Sequence, residues 1–152
     1  MYRYCLRRVW RDPPSRTVAF VLLNPSTADA VRDDPTIARC VGFAKAWGFD
    51  ALAAVNLFAL RATDPAALRR AADPIGPHND RYILAAAGAA DMVVAAWGAH
   101  GAYLGRAGRV AERLARTQLL WHLGLTRSGQ PRHPLYMAAR TVPAPWHRLE
   151  AR

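Results

Sequence analysis

Residues 17 to 23 read TVAFVLL, a run of β-branched, aromatic and aliphatic side chains without a charge, and it stops at Asn24-Pro25. Apolar residues on both alternating faces describe a strand covered from two sides, the situation of a central strand in a parallel sheet. Leu52 to Leu57, Met92 to Ala96 and Leu119 to Leu123 are further apolar runs of strand length. Residues 2 to 10 differ, because Tyr2, Tyr4 and Leu6 alternate with Arg3 and Arg7 before register is lost. That pattern predicts an edge strand with one wet face.

Helical patterns separate these runs. Asp34 suits an N-cap and Pro35 the first helical position, after which Ile37, Cys40, Val41, Ala44 and Trp47 recur at helical spacing until Gly48. Asp64-Pro65 repeats the device for a short helix to Ala72, and a further helix spans about Asn79 to Ala89. Over Ala102 to Arg116, Leu104, Ala107, Ala111 and Leu114 share one face, and Arg106, Arg109 and Arg113 share another. The tail (VPAPW) has no clear period. Alternating helices and apolar strands predict an α/β fold, a three-layer α/β/α sandwich around a mostly parallel sheet of about four strands. Residues 1–152 are enough for a single domain with one core.

Charge narrows the partners. With 21 basic against 11 acidic residues the net charge is +10, a field that attracts polyanions, so nucleic acid is the expected partner and DNA ahead of RNA. Only Lys45 is a lysine, and the arginine excess suits bidentate phosphate and base-edge contacts, although a genome-wide preference for Arg codons produces the same excess. Cys5 and Cys40 are too few for a disulfide framework and have no CxxC spacing, which points to a reduced, cytoplasmic setting and to no metal. The N-terminal MYRYCLRRVWRDPP interrupts its apolar positions with charges, unlike a signal peptide or a membrane span, so no membrane partner is expected.

Parallel sheets bind ligands beyond the carboxyl ends of their strands. The segments that follow the strands are LNPSTAD, VNLFALRATDP, AAWGAHG and LTRSGQPRHP. Asn24 can position a water or meet a ligand, and Asn-Pro-Ser equally fits an Asx turn. Asn56 is an amide inside an apolar strand, and its desolvation must be met by a ligand edge or a backbone group. His133, between Arg132 and Pro134, suits stabilisation of an oxyanion as well as a solvated loop, and His100 is the next candidate, ahead of His78, His122 and His147. Asp29, Asp33 and Asp34 form the acidic cluster of a basic chain, with Asp34 assigned first to capping. No GxxxxGK[ST], GxGxxG, HExxH or GxSxG string occurs, so no nucleotide cofactor is expected.

Taken in order, LNPSTAD, DDPT, VNLFALRATDP, DPIGPHNDR, AAWGAHG and GQPRHPLY resemble the bacterial and phage family called domain of unknown function sixteen-forty-three over nearly the whole chain. By pattern, the strand exits are also similar to those of the uracil-DNA glycosylase superfamily, an α/β/α sandwich that flips out a base and hydrolyses its glycosidic bond in DNA repair. That resemblance implies that Asn24-Pro25 holds the attacking water, Asn56 reads the base edge, Trp97-Gly98 follows the third strand, and His133-Pro134 stabilises the leaving base. Leu22-Leu23 and Leu135 depart from the superfamily pattern, and no cluster cysteines are present.

Phe43, Phe58 and Trp97 are candidates for stacking on the base, with core packing the first expectation for each, and Arg61, Arg127 and Arg132 are candidates for holding phosphates. Because Asn24 is not a strong base, hydrolysis is expected to depend on electrostatic stabilisation of the departing base more than on proton abstraction, unless Asp29 or Asp33 reaches the water. The expectation is therefore a nucleic-acid N-glycosidase. The alternatives are a binding module that recognises a modified base without cleaving it, and an enzyme acting on small nucleosides or nucleotides.

Overall fold

The computed structural model describes residues 1–147. Its centre is one six-stranded mixed sheet in the order β1-β3-β2-β4-β5-β6. The strands are β1 (Leu6–Val9), β2 (Thr17–Leu22), β3 (Ala51–Asn56), β4 (Met92–Ala95), β5 (Leu120–His122) and β6 (Ala144–Pro145). β3, β2, β4 and β5 run parallel, and β1 and β6 add antiparallel edges. The sheet thus exceeds the four strands expected. β6 escaped the sequence because its two residues, paired opposite Trp121 and His122, are too short to carry a period.

Among the described residues four α-helices cover the sheet: α1 (Pro35–Ala46), α2 (Ala66–Arg70), α3 (Asn79–Ala89) and α4 (Arg106–Ala115). The alternation within β2 decides which side each residue serves. Val18, Phe20 and Leu22 pack with Ile37, Cys40, Phe43 and Ala44 of α1. Ala19, Val21 and Leu23 pack with Leu68, Ile83, Ala87, Val110 and Leu114 from the other three helices. Both faces of β2 are therefore dry, as an apolar run without alternation requires.

Two helices differ from expectation. The segment from Ala102 is not the start of α4, because Tyr103 is extended (ψ 133°) and Leu104 and Gly105 have positive φ of 58° and 65°. Ala99–Gly105 forms a kinked 3-10 segment, and the α-helix begins at Arg106. Arg106 then leaves the basic face and is buried at 5% exposure. There its Nε donates to Leu57 O (2.7 Å) and its guanidinium pairs with Asp80. Asp64 stops short of capping α2, but its Oδ1 accepts from Ala66 N (2.9 Å).

Among the described residues no helix is long and apolar enough to cross a membrane, and both Cys5 and Cys40 are free thiols. Phe20, on the central strand, has no exposed surface. Phe20→Ala should lower unfolding free energy by about 3–5 kcal/mol through lost burial and an unfilled cavity, measured as a lower urea midpoint at unchanged slope.

Candidate functional site

Chain order reverses direction across the sheet between β2 and β4: β3 is laid on one side of β2, and β4 returns on the other. Loops leaving such a pair diverge and open a crevice at their carboxyl ends. A cleft of about 480 Å³ lies there, within the range of small-ligand sites. Asn24 and Ser26 after β2, Thr63 after β3, Gly98 and His100 after β4, and His133 with Tyr136 from the loop after β5 contribute to its wall. Adjoining it, and sharing Asn24, Asp34 and His133 with it, a smaller void of about 40 Å³ is also bordered by Asn56.

Each loop is tied to a neighbour. Asn24 Nδ2 donates to Ala62 O (2.8 Å), Pro25 O (3.0 Å) and Leu60 O (3.4 Å), which binds the exit of β2 to that of β3. Its nitrogen is spent on carbonyls, leaving Oδ1 as the acceptor with no partner among the described residues. The Asx turn that Asn-Pro-Ser suggested, in which Oδ1 would accept from the backbone, is not formed.

Asn56 ends β3 opposite Leu22, is 4% exposed, and its Oδ1 is buried with no partner. An orphaned buried acceptor costs free energy unless something arrives to meet it. Its backbone is held instead. Asn79, fully buried at the start of α3, donates through Nδ2 to Asn56 O (2.8 Å) and Leu57 O (3.0 Å), and Arg106 donates to Leu57 O. Neither Asn79 nor Arg106 stands out in the sequence, where both occupy ordinary helical positions.

The His133 loop is stitched to the exit of β4. Gly98 N donates to Pro131 O (2.8 Å), and Trp97 Nε1 donates to Gln130 Oε1 (2.7 Å). Gly98 has φ +78°, and a Cβ there would lie 3.4 Å from His133 Cβ. On the far side, Arg39 of α1 donates to Met137 O (2.8 Å). His133 caps the 3-10 turn Pro134–Tyr136, its Nδ1 accepting from Leu135 N (3.3 Å). In the neutral ring that assignment puts the proton on Nε2 as a donor. Burial pushes the imidazole below its usual 6.5, and the charge of Asp34 only partly offsets this. The ring is therefore neutral at pH 7.

Other expected residues lie elsewhere. Asp29 is no part of the cleft wall: its Oδ1 accepts from Val31 N (2.9 Å) and Arg32 N (2.8 Å), and these bonds hold its carboxyl below the usual range. Arg8 anchors that loop through Asp33 Oδ1 (2.7 Å) and Asp29 O (2.5 Å). Phe43 is 1% exposed on the sheet side of α1, stacked on Trp47, and Phe58 is wholly buried, so neither has a face for a base. Trp97 borders the cleft but is 1% exposed, its ring edge-on to Trp146 and in close contact with Gly101. The exposed aromatic of the cleft is Tyr136, 79% accessible and edge-on to His133 at 6.0 Å. It ends the string GQPRHPLY and sits within the apolar run LYMAA, so no local signal marked it as exposed.

Arg61 and Arg132 are exposed beside cleft residues, donating to Ser26 O (3.4 Å) and Leu125 O (3.2 Å), and Arg127 sits exposed on the Thr126–Gln130 turn. No group of three or more metal-ligating side chains occurs among the described residues.

The cleft and its switch-point setting define an α/β protein with a small-ligand-sized crevice built from four loops at the carboxyl ends of its strands. The family model described as Protein of unknown function (DUF1643) matches residues 3–135, and the chain belongs to that family. The matched span takes in Asn24, Asn56, Trp97 and His133. No curated protein and no solved structure matches the chain.

His133 should titrate in NMR with a midpoint below 6.5. The unfolded chain then binds the proton more readily, so the contribution of the neutral ring to stability is present above pH 6.5 and is lost as pH falls through the folded value. Gly98→Ala, forced into positive φ against His133, should shift the His133 ring signals and lower Tm.

Proposed function

We propose that the cleft receives a nucleotide turned out of a DNA strand and hydrolyses its N-glycosidic bond. The observation that carries this is the meeting, around one void, of a buried amide with an unanswered acceptor, Asn56, and a neutral imidazole whose free N–H is a donor, His133. A pyrimidine edge supplies the donor that Asn56 Oδ1 lacks. A neutral Nε2–H is suited to hydrogen-bond the charge that develops on a departing base. Asn24 Oδ1 accepts from a water and so orients it.

The superfamily resemblance assigns the same three roles to the same three residues, and the net charge of +10 supports a polyanionic substrate. In the step itself the C1′–N bond breaks and its electron pair leaves on the base. Water oxygen bonds to C1′, its proton is lost to solvent, and the base anion takes a proton in return. Arg61, Arg127 and Arg132 contact flanking phosphates, and Tyr136 replaces Phe43 and Trp97 as the stacking surface.

A second reading, a module that binds a base without cleaving it, is favoured by one observation: Asn24 is pinned to three carbonyls and Asp29 is spent on its own loop. The two separate on product. Oligonucleotides, single- and double-stranded, bearing uracil, mismatched thymine, hypoxanthine or oxidised pyrimidines should yield alkali-labile sites. His133→Ala should slow their formation by about 10²–10³-fold, the usual cost of an oxyanion donor. Absence of scission with salt-sensitive binding intact would leave the binding module, and absence of both would point to free nucleotides.

A further inference from the structure

Glycosidic cleavage builds positive charge on the sugar as well as negative charge on the base. The residues assigned so far answer only the second. Asn24 is an amide, and Asp29 lies outside the cleft. Among the described residues that border the cleft and the adjoining void, Asp34 is the one carboxylate.

Asp34 is 8% exposed and rigidly held: Oδ1 accepts from Ile37 N (2.8 Å) as the cap of α1, and Oδ2 accepts from Ala28 N (3.3 Å). It shares the void with Asn24, Asn56 and His133, and its charge is felt at the His133 ring. Arg3 also borders the void, but a guanidinium cannot stabilise a cation.

We propose that Asp34 is the catalytic carboxylate of this cleft, touching the sugar and stabilising the cationic character that it gains as the C1′–N bond breaks. The proposal rests on the N-glycosidase reading above and supplies the charge which that reading lacks. Two backbone amides fix the carboxylate before substrate arrives, so no reorganisation is needed when charge develops. The bond changes are those already given: the base leaves with the electron pair, water adds to C1′, and Asp34 forms no bond to the sugar. A purely structural Asp34 would cap α1 through Oδ1, a task that Asn and Ser perform as well, and hold Ala28 N through Oδ2, and neither task distinguishes a cationic ligand from a neutral one.

That difference sets the test. Oligonucleotides carrying one abasic-site analogue, either a neutral tetrahydrofuran or a cationic pyrrolidine, are compared by fluorescence anisotropy with the full chain, Asp34→Asn and Asp34→Ser. Circular dichroism confirms that at least one capping variant is folded. The wild type should bind the pyrrolidine oligonucleotide about tenfold more tightly than the tetrahydrofuran one, and the variants should bind the two equally. A preference retained in the variants would overturn the role of Asp34. Equal binding of the two by the wild type would do the same while leaving the nucleic-acid reading in place. No binding of either would overturn both.

Discussion

The hydrogen-bond ladder of β2 is the constraint on which the cleft depends. It pairs with β3 along its whole length and with β4 over four residues, and the pairing outlasts the strands: Leu57 N donates to Leu22 O, Phe58 N to Leu23 O and Ala96 N to Val21 O. Buried backbone groups must find partners, and with both faces of β2 dry those partners can come only from the flanking strands. Three chain segments therefore leave the sheet at the same level, with Asn24, Asn56 and Trp97 at corresponding exits. The crevice follows from that coincidence.

Polar groups then hold the exits apart and in place. Asn24 spends its nitrogen on the β3 loop, Asn79 and Arg106 take the carbonyls at the end of β3, and Gln130 and Pro131 tie the His133 loop to Trp97 and Gly98. These bonds are made by loops and helix ends, where the apolar core exerts little control. What they leave unsatisfied is informative. Asn56 Oδ1 lies beside the void, whereas Asn79 Oδ1 is orphaned at a residue that borders neither the cleft nor the void.

Much of the frame was legible because it rests on local rules. Period and length located β2, β3, α1 and α3 closely, and the Asp34-Pro35 cap was readable as a sequence pair. Less legible were elements whose signals are tertiary. Arg106 sits on what reads as a basic stripe, but Leu57 O and Asp80 make its burial tolerable. Leu104 fits the apolar face by spacing, but the chain bends there and leaves it half exposed. At the cleft, Phe43 and Trp97 have the chemistry for stacking but no free face, while Tyr136 gains one only because its turn stands on the rim.

The sequence by itself determined the four parallel strands, the Asp34 cap of α1, and that an amide must interrupt an apolar strand at Asn56, since these depend on neighbours a few positions away. Only the tertiary structure decided which acid faces the cleft. Asp29, Asp33 and Asp34 are near-equivalent in sequence, yet Asp29 turns back on Val31 and Arg32, Asp33 pairs with Arg8, and Asp34 alone borders the void. The reason is that the start of α1 is packed beside the end of β2, a contact between segments that no local pattern encodes.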